Sequence, residues 1–334
     1  MPVIFAAGAP GAIIGSMDAM DLDGDMHIPG SIERSTLRAL TRRSNARGLL
    51  QLGFHAACLC LTGLLVWASR GHPWLLVAWI LHGIVLCFLF CALHESIHRT
   101  AFATRGLNDW VAWICGALLM LPPEYFRQFH FAHHRFTQDR ARDPELAAPP
   151  PANLAQYLWR VSGLPYWYDR LGVTLRHAIT GRVSESFIPA AVAPVIVREA
   201  RQLWAFYLGV LVLSIYLQRA DALIYWVIPA LLGQPFLRLF LLAEHTGCAF
   251  GDDMLTNTRT TYTNGALLLL AWRMPYHAEH HYLPSVPFHA LARVNALIGE
   301  RSRTTALGYV ALHRELVRGF RAAGALQLRS RPPT

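Results

Sequence analysis

PWLLVAWILHGIVLCFLFCALHESIH, residues 73–98, joins an apolar run to a pair of histidines, and the two halves together decide the kind of chain this is. From Pro73 to Leu93 there is no Asp, Glu, Lys or Arg, and about 20 residues of helix cross a hydrocarbon core. The run ends at His94 and His98. A spacing of four places both imidazoles on one face of a continuing helix, at the surface of the membrane.

Similar runs lie on either side. Leu49 to Ser69 is one, Leu203 to Leu217 another, and Ala222 to Ala243 a third, broken only by Arg238. The chain is 54% hydrophobic and 15% charged, against about a quarter charged in soluble proteins. Four transmembrane helices are therefore expected. The run from Leu203 is short, and Trp204, Tyr207 and Tyr216 extend it into the membrane interface. Leu107 to Pro123 is marginal in length, and Gly265 to Trp272 is too short to cross. If the first of these crossed, the histidines on either side of it would lie on opposite faces of the membrane, so it is read as re-entrant or interfacial. The expected fold is an all-α integral membrane protein with four transmembrane helices, re-entrant or interfacial helices, and a cytoplasmic histidine-rich cap. Its divisions are an N-terminal segment (1–48), a membrane domain (49–300) and a C-terminal cytoplasmic tail (301–334).

Orientation follows from the basic residues, all of which are Arg. Arg34, Arg38, Arg42, Arg43 and Arg47 precede the first span, and Arg99 and Arg105 follow the second, whereas the opposite connections carry Arg70 and Arg219. The positive-inside rule puts the N terminus, the segment after the second span and the C terminus in the cytoplasm. The net charge of +9 reflects this asymmetry and attraction to anionic lipid. No basic and aromatic platform accompanies it, so nucleic acid is not an expected partner. Met1 to Ile32 lacks the basic start and cleavage site of a signal peptide and reads as a flexible tail. The six Cys are scattered, mostly within spans, as small packing residues.

Beyond His94 and His98, two five-residue boxes follow: His130, His133 and His134 in HFAHH, and His277, His280 and His281 in HAEHH. With 16 His in 334 residues, chance supplies an HxxHH only about 0.04 times per chain and an HxxxH about once. The two five-residue boxes carry the signal, and HESIH gains weight by standing with them. His245, at the end of the fourth run, is a ninth candidate. Eight or nine imidazoles exceed the needs of one ion, so two metals are implied. Zinc uses fewer ligands and often Cys. Iron accepts imidazole, changes oxidation state and keeps positions open for oxygen. Glu95, Glu244, Glu279, Asp139 and Asp143 are candidates for holding the second nitrogens of the ligands, with Asp143 in RDPE the strongest.

Boxes of the form HxxxH, HxxHH and HxxHH with spans between them resemble the membrane fatty-acid desaturase and hydroxylase superfamily, over roughly Leu49 to Leu297. The stretches NTRTTYTN (257–264) and MPYHAEHHYLPSVPFHAL (274–291) resemble bacterial desaturase-type members most. The resemblance implies two iron ions, dioxygen as co-substrate and electrons from outside. It assigns His94 and His98 to the first box, His130, His133 and His134 to the second, and His277, His280 and His281 to the third. His245 stands where many members have a further ligand. HIPG at 27–30 is only faintly like a haem-binding turn, so a separate ferredoxin or reductase is the expected donor. The substrate would be a membrane lipid or acyl chain. Candidate residues lining it are Trp113, Trp272, Tyr125 and Phe126, with Arg127 and Arg259 for a headgroup or donor. The leading function is a lipid acyl desaturase; a hydroxylase or ketolase of another lipophile shares the same ligand set. A histidine-rich metal transporter would carry ionisable ligands along its spans, where only His55 and His82 lie.

Overall fold

The computed structural model describes residues 32–329, with side chains as far as Phe320. Residues 1–31 of the tail expected over Met1 to Ile32, with the HIPG turn, lie outside the described residues. The chain divides into a short N-terminal unit ending at Ala39 and a second unit from Leu40 onward. A helix rich in arginine, α1 (Arg34–Leu40), closes the first unit.

Ser44 starts the first long helix, α2 (Asn45–Ala68), by accepting a hydrogen bond from the Arg47 amide. The apolar run that leads into His94 and His98 forms α3 (Leu75–Cys87) and α4 (Leu89–Ile97), which run on as one 23-residue apolar helix ending at that histidine pair. α5 (Arg105–Leu119) packs along α4. Met120, in the left-handed conformation at φ 55°, ends α5, and Pro123 at the first helical position starts α6 (Pro123–Phe136). This hairpin begins just after His98 and returns to it, since the rings of His98 and His134 are 4.9 Å apart. α7 (Leu154–Val161) and α8 (Leu164–Thr180) follow, and both leave apolar side chains such as Trp159, Tyr168 and Ile179 exposed.

α9 (Ala193–Tyr216) buries Ile196, Val197, Ala200 and Leu203 in its first half and exposes Leu211 and Ile215 in its second. α10 (Ile228–His245) continues a wide turn over Leu223–Val227. Among the described residues three helices are long and apolar enough to cross a membrane: Asn45–Ala68, Leu75–Ile97 and Leu223–His245. α9 is as long as α2, but Arg198, Glu199 and Arg201 in its early turns shorten its apolar stretch.

α3 packs most extensively on α10. Gly83 and Gly233 sit where the two cross. A Cβ on Gly83 would overlap the Pro229 carbonyl, and one on Gly233 would overlap the Gly83 carbonyl. Small residues permit this close approach. Pro229 has no amide hydrogen to give to the Tyr225 carbonyl one turn earlier, and that oxygen accepts from His82 Nε2 at 3.0 Å instead. His55 likewise donates Nε2 to the Val85 carbonyl at 2.8 Å. Both histidines within these apolar helices therefore pin helices to one another.

The remaining elements are α11 (Met254–Asn257), β1 (Thr260–Tyr262), α12 (Gly265–Leu270), α13 (His277–Tyr282), α14 (Leu291–Ile298), β2 (Thr305–Leu307) and α15 (Tyr309–Arg329). β1 and β2 pair in parallel, Thr260 opposite Thr305 and Tyr262 opposite Leu307. The chain is mostly helical, as expected, and this short pair is a small addition to its helices. Three residues are too few to show alternation, and the partner strand comes from far along the chain. The segment after residue 300 is tied back further by His313, whose Nε2 donates to the Leu239 carbonyl of α10 at 2.8 Å while Nδ1 meets the Tyr157 hydroxyl at 3.0 Å.

Candidate metal centre

Each histidine box keeps its helical geometry. His94 lies in the last turn of α4, and His98 follows as its C-terminal capping residue. His130, His133 and His134 share α6, His245 ends α10, and His277, His280 and His281 make up half of α13. The fold brings all nine together. One donor atom each from His94, His98, His130, His134 and His280 lies within 4.8 Å of the others, and His133, His245 and His281 form a second such group. His277 joins the second group, its Nε2 3.1 Å from that of His245. The groups touch where the rings of His134 and His281 stack at 4.1 Å.

Hydrogen bonds fix which nitrogen faces inward. His133 donates Nδ1–H to Asp143 at 2.9 Å, and His245 donates Nδ1–H to the Asn257 carbonyl at 3.2 Å. The Thr137 hydroxyl hydrogen goes to the His133 carbonyl at 2.7 Å, so its oxygen is left to accept from His281 Nδ1 at 3.2 Å. All three rings thus turn a bare Nε2 inward. The Nε2 atoms of His133 and His245 are 3.2 Å apart, with no proton available between them. In the first group His94 and His130 approach to 2.6 Å and His130 and His134 to 2.9 Å. His98 Nε2 and His281 Nε2 are buried with no hydrogen-bond partner among the described residues. Unpaired buried acceptors are costly, and facing lone pairs repel. Bonds of about 2.1 Å, ordinary for imidazole on a first-row metal, set donors about 3 Å apart at a right angle. The donor set, its spacing and its orphaned nitrogens fit two metal ions.

Electrostatics keep these rings neutral and able to bind. Burial, then the crowding of other imidazoles, holds His130, His134, His277 and His281 well below the ordinary histidine value. Burial, then His280 and Arg127, does the same to His98. His280 is pushed down to about 3 by burial and by His133. His133 is the exception: burial opposes its charge, yet Glu145 and Asp143 outweigh burial and raise it.

Other residues singled out in the sequence fall into place unevenly. Glu244 lies 3.5 Å from His277 Nδ1. Glu95 instead accepts from the Thr100 hydroxyl and the Phe288 amide, and Glu279 from the Thr260 and Asn295 side chains, so each ties its box to a neighbouring segment. Asp139 pairs with Arg142 at the surface. Arg127 sits between Asp109 and Glu124, and Arg259 donates to the Ala243 and Thr246 carbonyls at the end of α10. Trp272 is fully buried and donates to His55. Thr137, Asn257 and Glu145, the last 3.4 Å from His133 Nδ1, touch the histidines without having been anticipated. Each acts through one atom, which leaves no spacing to read.

A cavity of about 610 Å³ opens beside the centre, and His94, His130, His133, His245 and His277 form part of its wall. Phe90, Phe126, Phe129 and Met274 supply apolar wall around them. Tyr125 and Phe126, two of the four expected lining aromatics, are on it; Trp113 and Trp272 are not.

The sequence profile of the family described as fatty acid desaturase matches residues 71–313. A sphingolipid delta(4)-desaturase of Oryza sativa subsp. japonica is 25% identical over 64% of this chain and 60% of its own length. A sphingolipid delta(4)-desaturase/C4-monooxygenase of Rattus norvegicus is 28% identical over 66% of this chain and 65% of its own. An acyl-lipid (9+3)-(E)-desaturase of Dimorphotheca sinuata is 25% identical over 72% of each. The chain thus spans less than two thirds of the rice and rat proteins.

Proposed function

The chain belongs to the fatty acid desaturase family, and on that premise we propose that it is a membrane-bound, non-haem di-iron, dioxygen-dependent oxidoreductase that desaturates lipid acyl chains. One observation carries this reading: five of the nine converging histidines form the wall of a cavity otherwise lined in large part by apolar side chains. His94, His98, His130, His134 and His280 would hold one iron, and His133, His245, His281 and His277 the other. Bound iron would supply the power to oxidise an unactivated C–H bond with dioxygen.

The protein's own part is placement and exclusion. Asp143, the Asn257 carbonyl and Thr137 orient three imidazoles before any ion arrives. Phe90, Phe126 and Phe129 keep water from the acyl chain and present one stretch of it to the centre. In desaturation the chain loses two hydrogens and dioxygen becomes two waters. The balance of two electrons and two protons comes from an external donor, a ferredoxin or reductase. In the membrane, α2, the α3–α4 helix and α10 would span, with α9 as the fourth span through its exposed apolar half. The excess of arginine before α2 and after α4 favours a cap in the cytoplasm, in a bacterial cytoplasmic membrane.

A second reading has one specific support, because the rat relative's name couples desaturase with C4-monooxygenase. Expression of the chain in a host of simple lipid content, with mass spectrometry of the extracted lipids, separates the two. Loss of two hydrogens from a lipid supports desaturation, and gain of one oxygen supports hydroxylation. His133→Ala should abolish either change while the protein still inserts in membranes. Full turnover by that variant would remove His133 from the centre.

A further inference from the structure

The cavity beside the histidines is not uniformly apolar. Six charged side chains reach its wall: Glu145, Arg160, Asp169, Arg170, Arg238 and Glu244. Five of them have partners. Arg170 is paired with Asp169 and lies over the Tyr125 ring. Arg160 donates to the Ala148 and Pro149 carbonyls. Glu145 and Glu244 face Nδ1 of His133 and His277. Arg238 is different: it feels the charges of Glu145 and Glu244 but, among the described residues, forms an ion pair with neither. Its guanidinium rests 4.6 Å from the centre of the Tyr166 ring, and its Nε is buried with no hydrogen-bond partner among the described residues. An aromatic face attracts the charge but accepts no in-plane N–H bonds. Arginine inside a spanning helix is expensive and is kept where something binds it.

From this we infer that the cavity takes a substrate whose polar end is an oxyanion, a carboxylate or a phosphate monoester, held by Arg238. The forked guanidinium suits both groups. The inference rests on the cavity being the substrate's, as proposed above, and adds what the substrate must carry. It also limits where oxidation falls. Arg238 precedes His245 by two helical turns on the same face of α10, about 10 Å along its axis. An extended chain advances about 3.5 Å for every three bonds. Even a fully extended chain needs about nine bonds to cover that rise, so the oxidised carbon lies at least about nine bonds from the anionic head, and its position is counted from that head rather than from the methyl end.

The test uses the detergent-purified full chain and tritiated methyl palmitate as probe, with palmitic acid, hexadecyl phosphate and unlabelled methyl palmitate as competitors. In the wild type one of the two anions should compete at least about tenfold better than the ester, and the better one identifies the head. Arg238→Gln should bring that ratio to about one by weakening the anion and leaving the ester unchanged, and Arg238→Lys should restore part of it. Equal competition by all three in the wild type, or a preference that survives Arg238→Gln, overturns the assignment while leaving the desaturase reading intact. Absence of specific, saturable probe binding to a chain that melts cooperatively removes the cavity as the substrate's site, and with it the reading on which this one rests.

Discussion

Replacing Asp143 by Asn should loosen one iron and spare the other. Oδ1 of Asp143 accepts from His133 Nδ1 and from the Glu145 amide, both at 2.9 Å, and Oδ2 accepts from the Gln138 amide at 2.9 Å. Asp143 and His133 are both buried. Alanine would strip all three donors of their acceptor, a loss of about 3–6 kcal/mol from one charge-assisted and two backbone bonds. Asparagine keeps Oδ1 and loses only the Gln138 bond, so the fold should survive, but the imidazole no longer leans on a full carboxylate. Weakening such a partner lowers metal affinity about 10–100-fold. His133 belongs to the group with His245 and His281. Iron(II) titration against a competing chelator should therefore find one ion held as in the wild type and a second released at about 10–100-fold lower chelator concentration. Asp143→Asn protein that melts normally and holds both ions with wild-type affinity would refute the reasoning.

Gly233→Val should drive α3 and α10 apart, because its Cβ would meet the Gly83 carbonyl; overpacking of this kind costs about 1–3 kcal/mol. A lower melting temperature together with lost iron is expected, and an unchanged melt would contradict the crossing. Acid should destabilise the metal-free protein. His98, His130, His134, His277, His280 and His281 have lowered values when folded, whereas an unfolded histidine titrates near 6.5. Below that pH the unfolded chain takes up protons that the native one refuses. The stability present at higher pH thus falls by about 1.4 kcal/mol per pH unit for each ring. His133, raised when folded, opposes this but is outnumbered. A melting temperature that does not fall between pH 7.5 and 5.5 would contradict the burial of neutral rings.

The site was legible where its logic is local. A spacing of three or four residues on a helix is a property of five consecutive letters, so the boxes could be read, and the need for shared ions brought them together. His245 carried a weaker signal, yet it sits within the second group. The partners that aim the rings were harder. Asp143 stood out as an acid just beyond a box, but Thr137 and the Asn257 carbonyl act through single atoms on unremarkable residues. Arg238 read as a break in an apolar run, and only the cavity wall gives it a purpose. Trp272 invited a lining role because it is large and precedes the third box; its indole N–H instead goes to His55 inside the core. The small sheet and the arginine-capped interactions of α10 join segments distant in sequence, which leave no periodic trace.

Metal content of the anaerobically reconstituted full chain bears most directly on the centre itself. Two irons per chain, retained through gel filtration and accompanied by oxygen consumption when electrons and lipid are supplied, is the predicted result. One ion or none at saturation, or zinc bound and exchanged freely with no uptake of oxygen, would contradict it.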